Sequence, residues 1–438
     1  MNSPRQQQQT QNPPLRYPPS IPFIIGTEAA ERFSYYGMRS ILTTYLVMQF
    51  FNPTHDAALQ VGAEAAANAK THLFVSLAYF MPVVGALLAD TLFGRYRVIL
   101  YVSMLYCLGH LCLAVFDTQL DGFSFGLLLL AIGAGGIKAN VSAFVGEQFG
   151  QQQSPLISKA YGWFFFSINA GAMISMTLCP WLLNHYGAKV AFGVPGLFML
   201  LATVIFYSGR HRYRHQIPTR ASLSFSMLRK DLKSAGRVLL VFAFIPFFWA
   251  IWDQNESEWV LQAAKLDLQL WPGLTLLPAQ VQTANPVLVL LLIPVFTYFI
   301  YPTLARLGIS PTPLRKIGAG LFMTAVSLSV IAWLQIQIDA GQSPSVWWQL
   351  LAYLLLTIAE VLVSITGLEY AYTNAPASLK SVMTSLWLLT VSVGNLMVSA
   401  INQSISDHGF FADYTGAAFY WFFVKMMVVV VIVFALTA

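Results

Sequence analysis

The chain is 438 residues long, 57% hydrophobic, 14% aromatic and only 10% charged, with a formal net charge of +6. Soluble domains carry about 25% charged residues, so this balance excludes a soluble globular protein and indicates a multi-span membrane protein, in which the basic excess reports topology rather than nucleic-acid binding. Cys107, Cys112 and Cys179 all lie in apolar runs without metal-ligand spacing, so they imply packed or lipid-facing thiols and neither a disulfide framework nor a metal site.

The first 16 residues are polar, with the run Gln6 to Gln9 and the pair Pro13, Pro14. They lack the layout of a cleaved signal peptide and are expected to form a disordered cytoplasmic lead, 1–16. The apolar stretch 21–50 then carries Glu28, Glu31, Arg32, Tyr35, Tyr36 and Arg39. At about 100° per residue, Glu28, Glu31, Arg32, Tyr35 and Arg39 share one helical face. An ion at the centre of a bilayer costs at least about 2.5 to 3.5 kcal/mol, so this face must line a wet cavity or find partners.

Further apolar stretches of spanning length follow at 72–91, 97–116, 122–146, 157–180, 187–208, 237–264, 285–305, 314–337, 345–373, 380–404 and 410–437, twelve spans with the first. The long basic gap from Gly209 to Gly236 separates six from six. The sequence therefore predicts a 17–209 six-helix bundle, a 210–236 basic cytoplasmic linker and a 237–438 six-helix bundle. An even span count places most of the 24 Lys and Arg, among them Arg5, Arg16, Arg95, Arg97, Arg210 and Lys380, on one side, and only Lys70, Lys189 and Lys265 on the other. The positive-inside rule makes the first side cytoplasmic, with both termini. The chain stops at Thr437, Ala438 straight after an apolar run, which reads as a truncated end.

Few other ionisable groups lie at membrane depth. Lys138 follows Gly133, Ala134, Gly135, Gly136, small residues that let a neighbouring helix approach, and it is too far from either end of its span to snorkel out. Asp253 lies deep in the seventh span near Trp249 and Trp252, whereas Glu256 and Glu258 approach its outer end and are expected on a solvated rim. Glu360 is a lone carboxylate in the tenth span, a candidate proton or amine site. His72 is placed at the outer boundary of the second span. Asn169 and Asn285 are amides in apolar context, suited either to helix-to-helix hydrogen bonds or to substrate contacts. No glycine-rich phosphate loop, metal-ligand cluster or nucleophile beside a base is found, so neither an enzyme nor a cofactor is expected. An ion gradient, protons above all, remains as the energy source, because carboxylates paired with Arg and Lys switch between paired and protonated states.

Two six-helix bundles joined by a basic loop form the layout of the major facilitator superfamily, and Gly85, Ala89, Asp90, Gly94, Arg95, Arg97 resembles its turn between the second and third spans. Glu28 to Gly37 resembles the signature Glu-x-x-Glu-Arg-Phe-x-Tyr-Tyr-Gly of the proton-coupled oligopeptide transporters. Phe164 to Gly171, Phe247 to Ser257, Asn285 with Pro286, and Glu360 to Pro376 are also similar to that family, so the resemblance covers both halves. His72 with Phe74, Val75, Tyr79, Pro82, Gly85 and Asp90 resembles the animal intestinal and renal peptide transporters; many bacterial relatives lack that His.

The resemblance implies an all-α membrane protein with the major facilitator fold that brings di- and tripeptides into the cell with protons by alternating access. It implies that Arg39 and Lys138 receive the peptide carboxylate and that Glu360, Asn169 and Asn285 receive its amino group. Tyr35, Tyr36, Trp249 and Trp387 would line side-chain pockets, and Glu28, Glu31, Arg32, His72, Asp253 and Glu360 would couple protons. Arg39 with Asp253 would form an outer gate and Lys138 with Glu360 an inner one, with protonation of the Glu28, Glu31, Arg32 cluster freeing Lys138 for the peptide. Three departures, Phe165 for Tyr, Ala139 for Pro and Glu256 for Gly, bear on substrate preference and on the outer gate. The expected setting is the cell inner membrane, with lipid around the chain and no obligate protein partner. The alternatives are a proton symporter of the same fold for nitrate, sugar or drugs, and a peptide sensor that does not transport.

Overall fold

Helix α1 (Ile21–Leu46) has the length of a membrane span but carries the four charges of the first segment, while eleven further helices among the described residues are both long and apolar enough to cross a bilayer. A computed structural model describes residues 16–215, 235–309, 311–374 and 380–437. All but the last residue of the expected lead, linker residues 216–234 and Pro376 lie outside them. The further spans are α2 (Gln60–Phe93), α3 (Arg95–Val115), α4 (Leu120–Glu147), α5 (Pro155–Tyr186), α6 (Ala188–Ser208), α7 (Gly236–Ala263), α8 (Pro278–Arg306), α9 (Pro313–Asp339), α10 (Val346–Ala371), α11 (Met383–Ser406) and α12 (Ala417–Thr437). A short hairpin, β1 (Gln269–Trp271) with β2 (Leu274–Thr275), links α7 to α8.

These helices form two six-helix bundles of the major facilitator fold, each around its own hydrophobic core. Tyr35, Phe123, Phe192 and Phe206 belong to the first core, and Phe248, Trp259, Tyr353 and Phe423 to the second. Two residues pack into the core of the other half, Ala65 of α2 and Leu261 of α7. Both lie toward the face opposite the one where Arg95, Arg210, Arg237, Arg306 and Arg315 mark the helix ends. We refer to these as the opposite face and the basic face.

Close approach within the first bundle depends on glycine. A Cβ on Gly85 would meet Gly136 Cα at 2.8 Å, and one on Gly171 would meet Ala29 O at 2.8 Å, so side chains there would push α2 off α4 and α5 off α1. At the basic face Arg95 pairs with Asp90 at 2.8 Å and with Glu147 of α4, so the turn after α2 is tied to its neighbour as well as to itself.

Two departures from regular helix position functional groups. In α7 the chain passes through a 3-10 turn at Asp253–Glu256 and a non-helical Ser257 (φ −142°, ψ −87°) before resuming at Glu258–Ala263. In α10 a π turn, Val361–Ile365, begins at the residue after Glu360. Such turns re-aim side chains out of the 3.6-residue register and are frequent at functional positions.

One boundary differs from expectation with consequences. The sequence places the start of the second span at residue 72, because Glu64, Asn68 and Lys70 dilute its hydropathy. The helix instead begins at Gln60, so His72 lies well inside α2 rather than at a boundary. Lys70 is likewise inside the helix, half-buried, and donates to Ser124 Oγ at 2.8 Å.

Candidate functional site

The polar face of α1 is buried among helices, as the cost of exposing it to lipid requires. Arg32 Nε lies 2.6 Å from Glu28 Oε1, one helical turn back, and 3.0 Å from Glu31 Oε2. Glu28 is 1% exposed and Glu31 is fully buried, so one guanidinium serves two carboxylates away from water. Ser34 on the same helix meets His110 Nε2 of α3 at 2.7 Å.

Two turns further along, Arg39 crosses to the second bundle. Its Nη2 lies 2.5 Å from Asp253 Oδ1 and its Nε 2.7 Å from Glu256 Oε2, with all three side chains at least 98% buried. The expectation of a solvated rim for Glu256 and Glu258 is therefore wrong. The break at Ser257 turns the end of α7 inward instead of letting it run out to water. Glu258, 4% exposed, meets His72 Nε2 at 2.9 Å and accepts from Asn402 Nδ2 at 3.0 Å. His72, fully buried, also meets Asn395 Oδ1 at 2.7 Å, and Asn395 Nδ2 donates to Asp253 Oδ2 at 2.7 Å. Ser76 with Ser392, Ser399 with the carbonyl of Ala69, and Gln282 with the carbonyl of Ser40 add further bonds between the halves. The halves are thus fastened together toward the opposite face.

Deeper toward the basic face, among the described residues, Lys138 and Glu360 are not paired across the halves. Lys138 Nζ has no hydrogen-bond partner and stands 3.7 Å above the ring of Tyr35 and 3.9 Å above that of Tyr79. Glu360 Oε2 accepts from Asn285 Nδ2 at 2.8 Å and from Trp252 Nε1 at 3.1 Å. The structure therefore joins Arg39 to Asp253, and joins Lys138 to neither Glu360 nor Glu31. Tyr36, Lys138, Trp249 and Glu360 are half-buried, and Trp249 packs edge-on against Trp252 and Trp387 at 5.5 and 6.3 Å between centroids. Asn285 sits beside Glu360, whereas Asn169 donates to the carbonyl of Phe165 in its own helix, 3.0 Å away.

A cation held over aromatic faces gains about 0.5 to 2 kcal/mol, far less than a buried ammonium loses in hydration. Lys138 is therefore poised for an anion. Glu360 already accepts two neutral donors and can still take a cation. The arrangement presents Lys138 as a cation and Glu360 as an anion, with aromatic walls between, while Arg39 is already taken by Asp253 and Glu256.

Sequence reading missed Tyr79 as a second ring under Lys138, Trp252 as a donor to Glu360, and the pair Asn395 and Asn402. The last had a signal, since two amides seven residues apart in an apolar span lie on one helical face two turns apart.

Residues 96–230 and 220–421 match the sequence profile of the POT family. The chain belongs to the POT family. Among curated relatives it is 36% identical over 375 residues to "Peptide transporter family 1" of Drosophila melanogaster, covering 75% of this chain and 49% of that protein. It is 33% identical over 404 residues to human "Solute carrier family 15 member 2", covering 81% and 54%. The chain thus spans about half the length of the curated relatives it matches. Among solved structures, that of the POT family transporter PepTSo superposes with a TM-score of 0.87 at 36% identity, covering 96% of this chain and 98% of that one. A crystal structure of a proton dependent oligopeptide (POT) family transporter gives 0.81 at 36% identity, covering 94% and 100%. In this POT family chain, Asp253, Glu256 and Glu258 are buried carboxylates whose partners, Arg39 and His72, come from the other half.

Proposed function

We propose that the chain imports di- and tripeptides together with protons by alternating access, from the opposite face to the basic face. The reading rests on one observation above others. Lys138, an ammonium without a hydrogen-bond partner over two aromatic rings, and Glu360, a carboxylate held by neutral donors, are the unpaired cation and anion of a half-buried site. Every peptide presents a carboxylate at one end and an ammonium at the other. Two fixed charges of opposite sign read those ends, and the walls of Tyr36, Trp249 and Trp387 tolerate a variable middle.

In this reading Arg39 with Asp253 and Glu256 closes the opposite face, and the unpaired Lys138 and Glu360 correspond to a site accessible from the basic face. Glu28, Glu31 and Arg32 form the proton-linked cluster, since a proton on either carboxylate weakens its hold on Arg32 and changes the field at Lys138. The membrane is the cell inner membrane with both termini in the cytoplasm, supported by the basic residues at the helix ends of one face. Counterflow of labelled dipeptide in proteoliposomes tests the transport step. Exchange of external label against internal dipeptide supports it, and binding without exchange would mark a sensor instead.

A further inference from the structure

The opposite face holds a cavity of about 160 Å³, apart from the half-buried site around Lys138 and Glu360. Glu64 and Asn68 of α2 form one wall, and residues from the end of α7, from α9 and α11 and from the start of α12 form the rest, among them Lys265, Asp339 and Asn402. Asp339 and Tyr414 at its mouth are exposed, so the cavity opens to solvent.

Its polar walls are rich in acceptors and short of free donors. Gln335 Nε2 donates to Asp339 Oδ1 at 2.8 Å, Gln262 Nε2 to Gln335 Oε1 at 2.9 Å and Asn402 Nδ2 to Glu258 Oε1 at 3.0 Å, while Lys265 Nζ lies 2.9 Å from Glu64. These donors are spent within the wall itself. Asn68, only 4% exposed, has a side-chain carbonyl oxygen with no partner. A buried acceptor left unpaired costs about 1 to 3 kcal/mol, so a ligand that brings a donor gains there.

Charge points the same way. Asp339 is held only by neutral donors, Gln335 Nε2 and the backbone N of Ala417, both at 2.8 Å, so its charge is not cancelled. Among the lining residues Glu64, Glu258 and Asp339 face a single ammonium, Lys265. No three His, Cys, Asp or Glu side chains converge as metal ligands among the described residues. The negative charge is spread along the cavity, which suits an extended organic cation better than a metal ion. Tyr414, Phe419 and Tyr420 add aromatic rings, against which such a cation gains about 0.5 to 2 kcal/mol. A cavity of about 150 Å³ holds a ligand of about six non-hydrogen atoms.

We propose that this cavity binds a small organic dication, a linear diamine, between the two halves while the opposite face is closed. Only α2 comes from the first half, and every other lining residue belongs to the second, so the site is whole only when the halves meet on this face. Binding therefore favours the closed opposite face by mass action. A diamine outside the membrane would slow peptide entry, a consequence that rests on the transport reading, whereas the binding itself does not.

Thermal unfolding of the purified protein tests the binding, with diaminobutane, with its neutral isostere butanediol, and with sodium chloride at equal ionic strength. A saturable rise in Tm is expected with the diamine alone. In Asn68→Leu, which removes the unpaired carbonyl, the rise is expected to vanish. In Asp339→Asn, whose amide oxygen can still accept from the N of Ala417, half-saturation is expected to need roughly tenfold more diamine. A Tm that the diamine leaves unchanged in the wild type overturns the proposal, as does an equal rise with sodium chloride or an undiminished response in either variant; if Asn68→Leu does not fold, Asp339→Asn decides. Cysteines at positions 69 and 399 are expected to cross-link more fully when the diamine is present, and unchanged cross-linking at a saturating dose would place the diamine outside the seam between the halves and overturn the proposal. Both variants are expected to keep dipeptide counterflow. Absence of counterflow in the wild type strikes the transport reading and leaves the unfolding result standing.

Discussion

Glu256 lies 2.7 Å from Arg39 on a guanidinium that Asp253 already holds at 2.5 Å, so the closed face rests on one cation between two carboxylates from a single turn of α7. Breaking a buried pair by removing one partner costs about 3 to 5 kcal/mol, because the other charge is left without compensation. Glu256→Gln leaves Arg39 with Asp253 and should ease opening. Cysteines at positions 69 and 399, where Ser399 bonds the Ala69 carbonyl, report closure through cross-linking. The cross-linked fraction is expected to fall in Glu256→Gln and to fall further in Arg39→Ala, which leaves two facing carboxylates. An unchanged fraction in Glu256→Gln would mean that Asp253 alone closes the face.

Lys138 has no anion of its own, so its place as receiver of the peptide carboxylate is open to a direct comparison. A charge-assisted hydrogen bond contributes about 1.5 to 3 kcal/mol, or roughly 10- to 150-fold in affinity. A dipeptide is expected to compete for uptake better than its C-terminal amide by about that factor in the wild type. In Lys138→Gln the two competitors should become nearly equal. Equal competition in the wild type would remove Lys138 from that role.

Glu360 is held by Asn285 and Trp252, two neutral donors that leave its negative charge uncancelled. A free amino group is therefore expected to matter. N-acetylation of the dipeptide should weaken competition strongly in the wild type and little in Glu360→Gln. The same loss in both proteins would show that the amino group is read elsewhere.

Much of this was legible in the sequence because membranes make buried charge expensive. The twelve spans, the joint burial of Glu28, Glu31, Arg32 and Arg39, and the presence of Lys138 and Glu360 at membrane depth all follow from that one constraint, whereas the expected pairing of Lys138 with Glu360 is not formed. His72, Glu256 and Glu258 were misplaced for a shared physical reason. Span ends were read from hydropathy, and polar residues such as Glu64, Asn68 and Lys70 at the start of α2, or Glu256 and Glu258 near the end of α7, look like an approach to water. In the fold these groups satisfy one another across the two halves, a tertiary pairing that no local window contains. The seven-residue spacing of Asn395 and Asn402 marks a polar face in the sequence, but the bonds that join Asn395 to His72 and Asp253 form only once α11 lies beside α2 and α7.

Arg32 holds Glu28 and Glu31 at 2.6 and 3.0 Å in a site nearly closed to water, and that cluster is where transport would meet the proton. Glu31→Gln removes a titratable carboxylate while keeping its shape. It is expected to preserve counterflow of labelled dipeptide and to abolish accumulation. Full accumulation by Glu31→Gln would place coupling outside this cluster.

Peptide movement through this chain is expected to be tied to proton movement. Accumulation of labelled dipeptide by proteoliposomes carrying the wild-type chain, under an imposed inward pH gradient with and without a protonophore, measures that tie directly. Internal dipeptide is expected to rise above the external concentration and to collapse to equality when the protonophore is added. Uptake that only reaches equality, or accumulation that the protonophore leaves untouched, would contradict it.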